Sequence, residues 1–357
     1  MRKILAFLLV VVLITLHSCS SGNNESIVTP VIIETDMGND VDDALAVALA
    51  YCGDKEGKID LRMVSNHKMS KTAPEFIDII NTWYGFDKTI VANSSTPVMN
   101  NQYTDYTDAV VNKKDSLGMP AYKRSGKYVG GYSDPVDSYR KILSESDDNS
   151  VVIVSLGFST TLAQLLDSKE DKYSSLSGRD LIAKKVKYLS LMAGSYGKED
   201  TLMVNGKRET LFDKTKKRCE FNVANDIPAL DKVLKDWPVR IYQIPFEIGP
   251  MVMYPKTVVA DRVGPVFDAY RAYRKKPFDR PTWDLLAVAY VLDPQLFNQS
   301  EAGTVTIDEN GFNHFYPASD TSIRKVNDHN AHYVITITPE QADVLKDYLI
   351  DKTTCLN

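Results

Sequence analysis

The sequence predicts an α/β fold in which an open, mostly parallel sheet is covered by helices on both faces. Two observations support this prediction. Short apolar runs alternate with segments of helical period along most of the chain, which is the pattern of repeated βαβ units. The segment ALAVALA (44 to 50) is apolar on every side of a helix, so that helix is expected to be deeply buried against such a sheet.

The strands and helices of this sheet can be assigned in order along the chain. The predicted strands are VIIE (31 to 34), LRMVS (61 to 65), TIVAN (89 to 93), VVIVSLG (151 to 157), VKYLSLMAG (186 to 194) and VRIYQIP (239 to 245). The predicted helices are DDALAVALAY, APEFIDIINTWYG, PVDSYRKILSES, TTLAQLLDS, IPALDKVLKDW and WDLLAVAYVL. Residues 100 to 135 are rich in Tyr, Lys and Gly without a clear period, which predicts a long surface loop.

The pattern changes after about residue 301. TVTIDENGFNHFY carries Asn310-Gly311 between alternating segments and predicts a β-hairpin. HYVITIT predicts another strand, and Thr338, followed by a proline, predicts the cap of a final helix. We therefore expect residues 30–300 to form the main domain and residues 301–357 to form a small β-hairpin and helix that extend the same domain.

The N-terminal 18 residues, MRKILAFLLVVVLITLHS, predict an export signal. They combine two basic residues with an apolar core too short for a typical membrane-spanning helix. LHSC resembles the lipobox of bacterial lipoproteins, which makes Cys19 the expected lipidated N-terminus and residues 19–29 a flexible tether. An ordinary secretory signal is the alternative. The expected product is an exported, membrane-anchored lipoprotein on the periplasmic side of a Gram-negative outer membrane.

Charge and cysteine content exclude several classes of function. The 47 acidic residues outnumber the 42 basic ones and no basic stripe is present, so no nucleic-acid partner is expected. No apolar run after the signal approaches the ~20 residues that a transmembrane helix needs, and the remainder is expected to be soluble. Cys52, Cys219 and Cys355 lack the spacing of a zinc site and are interpreted as mostly structural.

The segment ETDMGNDVDD (34 to 43) places five carboxylates at the junction between a buried strand and a helix. Carboxylates this close repel and raise one another's pKa unless a cation lies among them, so a bound metal ion is predicted. The position also fits, because open α/β sheets bind ligands at the carboxyl ends of their strands. No frame of the segment satisfies an EF-hand loop, and Glu34 occupies the place where a haloacid-dehalogenase phosphatase needs its aspartate nucleophile.

Four segments, in order, resemble signatures of the inosine-uridine nucleoside hydrolases. ETDMGNDVDDALAVALA resembles the family's DxDxGxDDxxA signature, and LGFSTTLA (156 to 163) resembles its GPLTNxA turn. CEFNVANDIPAL (219 to 230) resembles the AEFNxxxDPxAA segment, and WDLLAVAYVLDP (283 to 294) resembles the HDPLA helix start. The resemblance spans roughly residues 31 to 297.

The resemblance implies a Rossmann-like nucleoside hydrolase fold, a calcium ion at the base of the pocket and a dimer or tetramer. Calcium takes six to eight hard oxygens, which leaves room for water and sugar hydroxyls beside the protein ligands. By position, the implied metal ligands are the carboxylates of Asp36, Asp43 and Asp284 and the backbone carbonyl of Thr160. The implied ribose contacts are Asp42, Glu220 and Asn222, and Asp36 would also deprotonate the attacking water.

Three departures from the family pattern affect the predicted chemistry. The acidic segment is two residues longer, which leaves the role of Asp40 open. His67 follows a strand end on the same rim and is a candidate catalytic residue, with a packing role as the alternative. Trp283 replaces the His that precedes the last metal Asp in purine-preferring members. It is a candidate substrate contact, but an indole cannot act as an acid at neutral pH.

These observations predict a calcium-dependent hydrolase that cleaves the N-glycosidic bond of a ribonucleoside to give ribose and free base. Two alternatives remain open. One is a hydrolase of another ribosyl compound, with a reshaped base pocket around His67, Trp283 and residues 100 to 135. The other is a non-enzymatic periplasmic nucleoside- or sugar-binding lipoprotein in which the metal is structural.

Overall fold

A computed structural model describes residues 28–98, 106–196, 201–204, 207–210, 219–274, 276, 278–320 and 330–355. The expected signal peptide, Cys19 and nearly all of the expected tether lie outside the described residues. The described chain is a mixed α/β fold with a mostly parallel central sheet and helices on both faces, which confirms the predicted fold class.

The strands are β1 Thr29–Thr35, β2 Ile59–Lys68, β3 Ile90–Val98, β4 Val151–Ser155, β5 Val186–Met192, β6 Thr201–Val204, β7 Lys207–Thr210, β8 Ile241–Ile244, β9 Met253–Tyr254, β10 Arg280–Pro281, β11 Asn298–Gln299, β12 Gly303–Ile307, β13 Asn313–Pro317 and β14 His332–Thr336. The α-helices are α1 Asp42–Lys55, α2 Ala73–Tyr84, α3 Tyr106–Val111, α4 Pro135–Glu145, α5 Thr160–Asp167, α6 Gly178–Lys185, α7 Phe221–Asn225, α8 Ile227–Asp236, α9 Lys256–Asp261, α10 Pro265–Tyr273, α11 Trp283–Leu292 and α12 Pro339–Thr354. Two 3₁₀ helices cover Phe246–Met251 and Pro294–Leu296.

The order of strands in the main sheet locates the functional edge. That order is β13-β12-β14-β8-β5-β4-β1-β2-β3, with β11 paired to β14. β1 lies between β2 and β4 and is parallel to both. The chain builds the sheet outward from β1 to β3 and then returns to continue from β4 in the other direction. Beyond the carboxyl ends of β1 and β4 this change of direction opens a crevice, the usual ligand site of such sheets.

Two apolar cores cover the two faces of the sheet. One contains α1, α2, α10, α11 and α12, and the other contains α4, α5, α6 and α8. Residues 42 to 53 of α1 are all buried, as expected for a helix without a polar face. A helix buried along its whole length is a rigid support, and the first turn of α1 carries two of the acidic residues of the site.

The six strands predicted for the main sheet and the six helices predicted to cover it are all present. The predicted hairpin is also present as β12 and β13, and Thr338 forms a capping box with Gln341 at the start of α12. The prediction that residues 100 to 135 form a surface loop is wrong in part. Among them is α3, whose Tyr106 and Val110 are buried, because a single short turn of helix carries too few residues to show a period.

The structure also shows how the cysteines are paired and whether any described helix could cross a membrane. A disulfide joins Cys52 of α1 to Cys355, which follows α12, in agreement with the structural interpretation of these cysteines. Cys219 is half-buried and takes no part in that disulfide. Within the described ranges, no helix has the length and apolar character needed to cross a bilayer.

Candidate active site

The acidic segment after β1 folds into a tight, buried turn. Asp36 is 4 % exposed, and Asp42 and Asp43, in the first turn of α1, are buried still more deeply. Asn39 donates a hydrogen bond from Nδ2 to Oδ2 of Asp36 at 2.5 Å. The hydroxyl of Tyr106 accepts the N–H of Gly38 and donates to the carbonyl of Asp40, both at 2.8 Å. A residue of α3 therefore stabilises the turn that holds the carboxylates.

The start of α11 completes the acidic group from a distant part of the chain. The backbone N–H of Asp284 donates to Oδ2 of Asp42 at 3.2 Å, across 242 positions of sequence. A cavity of about 530 Å³ opens at this point, in the crevice beyond β1 and β4. Its lining consists of Asp36, Asn39, Asp40, Asp42, Leu156, Met192, Glu220, Phe221, Asn222, Phe246, Tyr273, Arg280, Trp283 and Asp284.

Burial makes the ionised form of these acids costly. Loss of water raises the pKa of Asp36 and raises the pKa of Asp42 to about 7. It also raises the pKa of Asp43 and of Asp284 well above the ordinary value, and in both cases the neighbouring carboxylates add to the increase. A group of desolvated, mutually repelling carboxylates is an environment that a bound cation would stabilise.

The donor set fits a hard cation. Both carboxylate oxygens of Asp43 are buried without a hydrogen-bond partner, and its neighbours Asp36, Asp42 and Asp284 supply further oxygens. Buried charged groups are normally paired or bound to a metal, because an isolated buried charge is strongly destabilising. In the described part of the chain, no three His, Cys, Asp or Glu side chains are already arranged as a metal site. The fit therefore rests on the chemistry of the oxygens.

A buried lysine lies beside the same turn. Lys68, at the end of β2, is 2 % exposed and donates a hydrogen bond from Nζ to the carbonyl of Gly38 at 2.8 Å. Its positive charge partly offsets the increase in pKa of Asp36 and Asp43. Lys68 therefore supplies one resident positive charge to a group that contains several potential negative charges.

His67 lies behind Asp36 and is not part of the cavity lining. Its Nε2 accepts the backbone N–H of Phe158 at 2.8 Å, and its Nδ1 lies 3.0 Å from Oε1 of Glu34. The other carboxylate oxygen of Glu34 accepts the hydroxyl of Tyr139 at 3.0 Å. Both ring nitrogens thus lie close to buried polar groups of the protein, and His67 does not line the cavity.

Gly157 makes this close packing possible. A Cβ at position 157 would lie 2.6 Å from Nε2 of His67 and 2.8 Å from Cβ of Asp36. Non-bonded carbon atoms do not approach that closely, so any side chain here would displace the imidazole or the aspartate. The glycine of LGFSTTLA is therefore required by the contact between β4 and the acidic turn.

The segment that contains Glu220 and Asn222 lines the cavity at the start of the short helix α7. Glu220 caps α7, and its carboxylate accepts the N–H groups of Asn222 at 2.8 Å, Val223 at 3.2 Å and Gly194 at 3.0 Å. The amide of Asn222 donates to the carbonyls of Leu156 and Met192. These bonds fix both polar side chains beside the ends of β4 and β5.

Thr160 is placed differently from the other predicted site residues. It begins α5, and its hydroxyl donates a hydrogen bond to the carboxylate of Asp226. It is absent from the cavity lining, whereas Leu156, four residues earlier, is present. The structure therefore brings Asp36, Asp42, Asp284, Glu220, Asn222 and Trp283 around one cavity, with Asp43 buried next to them and Thr160 outside the lining.

One part of the cavity lining, the aromatic end, contains Phe246, Trp283 and Tyr273. Trp283 stacks on Phe246 with ring centroids 5.1 Å apart, and its Nε1 donates to the carbonyl of Phe246 at 2.9 Å. A Cβ on Gly249 would lie 2.1 Å from the indole, so this glycine allows the stack. Because the single hydrogen-bond donor of its side chain is occupied, Trp283 can contact a substrate only through the face of its ring.

Arg280 and Asp40 form an ion pair at the edge of this aromatic end. Nε of Arg280 donates to Oδ1 of Asp40 at 2.9 Å, and a second guanidinium nitrogen contacts Oδ2. The guanidinium lies 5.2 Å from the centre of the Trp283 ring and 5.4 Å from that of Tyr273. Burial lowers the pKa of Arg280 to about 10, so it remains charged at neutral pH.

Sequence reasoning missed Arg280, Lys68 and Tyr273 in this site. Arg280 stands three residues before Trp283 in the segment DRPTWD, and a basic residue so near a predicted acidic ligand was a usable signal. Lys68 directly follows His67, but a single lysine at a strand end is normally exposed. Tyr273 lies at the end of α10, a helix that was not predicted, and carried no signal.

Comparison with known proteins assigns the chain to a family. The model of the inosine-uridine preferring nucleoside hydrolases matches residues 31–342. No curated protein matches this chain.

Solved structures share the fold at low sequence identity. A plant nucleoside hydrolase is 16 % identical with a TM-score of 0.62, and the match covers 91 % of this chain and 99 % of that one. A purine-preferring ribonucleoside hydrolase from Gardnerella vaginalis is 16 % identical with a TM-score of 0.62, and the match covers 92 % of this chain and 98 % of that one. An inosine-guanosine nucleoside hydrolase is 16 % identical with a TM-score of 0.64, and the match covers 91 % of this chain and 98 % of that one. Members of the matched family are metal-dependent hydrolases acting on N-glycosyl bonds, and this chain belongs to the inosine-uridine preferring nucleoside hydrolase family.

Proposed function

We propose that the protein hydrolyses the N-glycosidic bond of a ribonucleoside in a calcium-dependent reaction. The observation that carries this proposal is that two chemically different groups of residues line one cavity. Asp36, Asp42 and Asp284 form a polar group suited to a cation and a polyhydroxylated sugar. Phe246 and Trp283 belong to the aromatic end, which is suited to a planar base.

Calcium would be held by carboxylate oxygens of Asp36, Asp43 and Asp284. The family resemblance adds the backbone carbonyl of Thr160, at the start of α5, to this set. When bound, the ion supplies Lewis acidity toward a water molecule and toward the ribose hydroxyls. Calcium suits this donor set better than a softer metal, because carboxylate oxygens are its preferred ligands.

Asp36 is proposed as the base that takes the proton of the attacking water. Its pKa is raised by burial, which increases its affinity for a proton, while Asn39 and Lys68 favour its ionised form. The oxygen of the water forms a bond to C1′ as the bond to the base breaks, with inversion at C1′. Asp42, Glu220 and Asn222 orient the ribose, and His67 positions Asp36 from behind.

A panel of ribosides tests this proposal. We expect the purified, calcium-loaded protein to release free ribose from at least one natural ribonucleoside. ADP-ribose belongs in the panel, because a solved effector structure with 14 % identity and a TM-score of 0.59 was determined with that compound. If only another ribosyl compound releases ribose, that compound replaces the ribonucleoside as the proposed substrate. If ribosides bind but no ribose is released, the protein is a binding protein and not a hydrolase.

Calcium removal is expected to lower the thermal stability of the protein. A ligand that binds only the folded state stabilises it by about 2.7 kcal/mol at a concentration of 100 Kd. For a chain of 357 residues, whose unfolding entropy is about 2.1 cal/mol/K per residue, that corresponds to a decrease in Tm of roughly 4 °C after chelation. Differential scanning calorimetry with and without verified metal removal measures the difference, and magnesium at the same concentration is the control. An unchanged Tm would contradict the metal site.

Export and lipid anchoring through Cys19 are proposed from the sequence alone. We expect Cys19→Ser to move the protein from the membrane fraction to the soluble periplasmic fraction, because a single acylated cysteine is the only anchor that the sequence predicts. Immunoblots of fractionated cells measure this, with the half-buried Cys219→Ser as the matched control. Retention of the Cys19→Ser protein in membranes would contradict the lipobox.

The Cys52–Cys355 disulfide supports export, since disulfides persist in oxidising compartments.

A further inference from the structure

Among the described residues at the aromatic end of the cavity, Trp283 cannot protonate a departing base, and burial raises the pKa of the Tyr273 phenol, which makes it a weaker acid. The indole nitrogen of Trp283 is occupied by the carbonyl of Phe246, and His67 does not line the cavity. Without protonation, the base takes the electron pair of the broken C1′–N bond and departs as an anion. The site must then stabilise negative charge on the base by other means.

Arg280 is placed to supply that stabilisation. It lines the cavity, its side chain is 13 % exposed, and its guanidinium lies against the Trp283 and Tyr273 rings that form the wall for the base. Asp40 occupies Nε and one terminal nitrogen, while Nη1 makes no hydrogen bond to any described residue. A guanidinium has five N–H donors in a fixed plane, so donors remain available after the Asp40 pair is formed.

Arg280 is held in position by a residue of the lengthened acidic segment. Asp40 belongs to the residues by which this segment exceeds the usual signature, and its carboxylate holds the guanidinium from the side of the turn. A pre-positioned donor is more effective than a mobile one, because it needs no reorganisation as charge develops.

We propose that Arg280 donates hydrogen bonds to the departing base and stabilises the negative charge that develops on it, so that the site favours ribosides whose leaving group departs as an anion. This inference rests on the proposed function of the same cavity. In the reaction, water oxygen bonds to C1′, its proton passes to Asp36, and the C1′–N electron pair goes to the base. The released anion later takes a proton from solvent.

Two ribosides separate this role from a structural one. Uridine loses its base as an anion, whereas nicotinamide riboside carries a positive charge and loses a neutral base. We expect Arg280→Met to lower kcat/KM for uridine by about 10²–10³-fold, as for the loss of one preorganised donor to a developing charge. The same variant should change kcat/KM for nicotinamide riboside little. Arg280→Lys, which keeps the charge, should recover part of the loss on uridine.

Asp40→Asn is a second variant, which keeps the guanidinium but removes the charge that fixes it, so we expect it to lower kcat/KM for uridine less than Arg280→Met does. If Arg280 acts only by holding the acidic turn, Arg280→Met and Asp40→Asn will slow both ribosides equally, and the proposal is overturned. Calcium affinity, measured by calorimetry, should be the same in wild type and Arg280→Met, and a parallel loss of calcium binding would also overturn it.

Binding of free bases tests Arg280 without turnover. We expect xanthine, measured above its first pKa as the anion, to bind wild type about 10- to 100-fold more tightly than it binds Arg280→Met, while neutral hypoxanthine shows a smaller difference. If wild type releases no ribose but retains this difference, the proposed function fails and the assignment of Arg280 stands. If ribosides are hydrolysed and the variant binds both bases as wild type does, the assignment of Arg280 fails alone.

Discussion

Asp43→Asn is expected to abolish calcium binding and activity while raising the stability of the calcium-free protein. Both carboxylate oxygens of Asp43 are buried without a hydrogen-bond partner, and neighbouring carboxylates raise its pKa further. Removing that charge relieves repulsion in the calcium-free protein but deletes a central ligand of the ion. Because a catalytic metal contributes several kcal/mol to the transition state, kcat/KM should fall on the order of 10³-fold.

The opposite signs of the two effects make this result diagnostic. Asp60→Asn is the control, because its half-exposed side chain pairs only with Arg62 on the surface. It should change neither calcium affinity, measured by calorimetry, nor the Tm of the calcium-free protein. A calcium affinity for Asp43→Asn equal to that of wild type would refute the assignment of Asp43 as a ligand. A lower Tm of the calcium-free variant would show that its carboxylate is stabilised by protein contacts instead.

Gly157→Ala is expected to inactivate the enzyme through a single added methyl group. The new Cβ would lie within 3 Å of both His67 and Asp36, so at least one of them must move. Overpacking of this kind typically destabilises a protein by about 1–3 kcal/mol. A displacement of about 1 Å of a catalytic group can lower activity by on the order of 10²-fold. Urea denaturation and riboside kinetics measure the two effects.

Gly130→Ala is the matched control for this substitution. No atom lies within 4 Å of the Cβ that would be added there, and the residue is exposed. Its stability and activity should equal those of wild type. Full activity of Gly157→Ala would mean that the His67 and Asp36 contacts beside β4 tolerate displacement, and the positioning role proposed for His67 would then be wrong.

The fold was predictable because its signals are local and regular. The strand β4 is a continuous apolar run, and α1 and α11 are apolar on every side, so their burial follows from composition alone. The helices α3, α6, α7, α9 and α10 were missed because each is short or partly charged. In α3 a tertiary contact also contributes, since the hydroxyl of Tyr106 binds the backbone of the acidic turn.

The candidate site was predictable where a motif placed residues at one strand end. Asp36, Asp42 and Asp284 meet at one cavity, as expected for segments at the carboxyl edge of a parallel sheet. The partners of those residues could not be predicted, because a hydrogen bond between Arg280 and Asp40 joins positions 240 apart and leaves no local pattern. The environment of His67 was hidden for the same reason, since its partners come from β1 and from the residues after β4.

The disulfide between Cys52 and Cys355 makes most of the described chain one covalent ring. The bond joins residues 303 positions apart and links the helix that carries Asp42 and Asp43 to the end of the chain. A single proteolytic cut in the exposed segment near Leu117 or Val129 would therefore leave one connected molecule, with both new fragments still tethered. Such a nicked protein would keep its two halves at high effective concentration and so retain an assembled acidic turn.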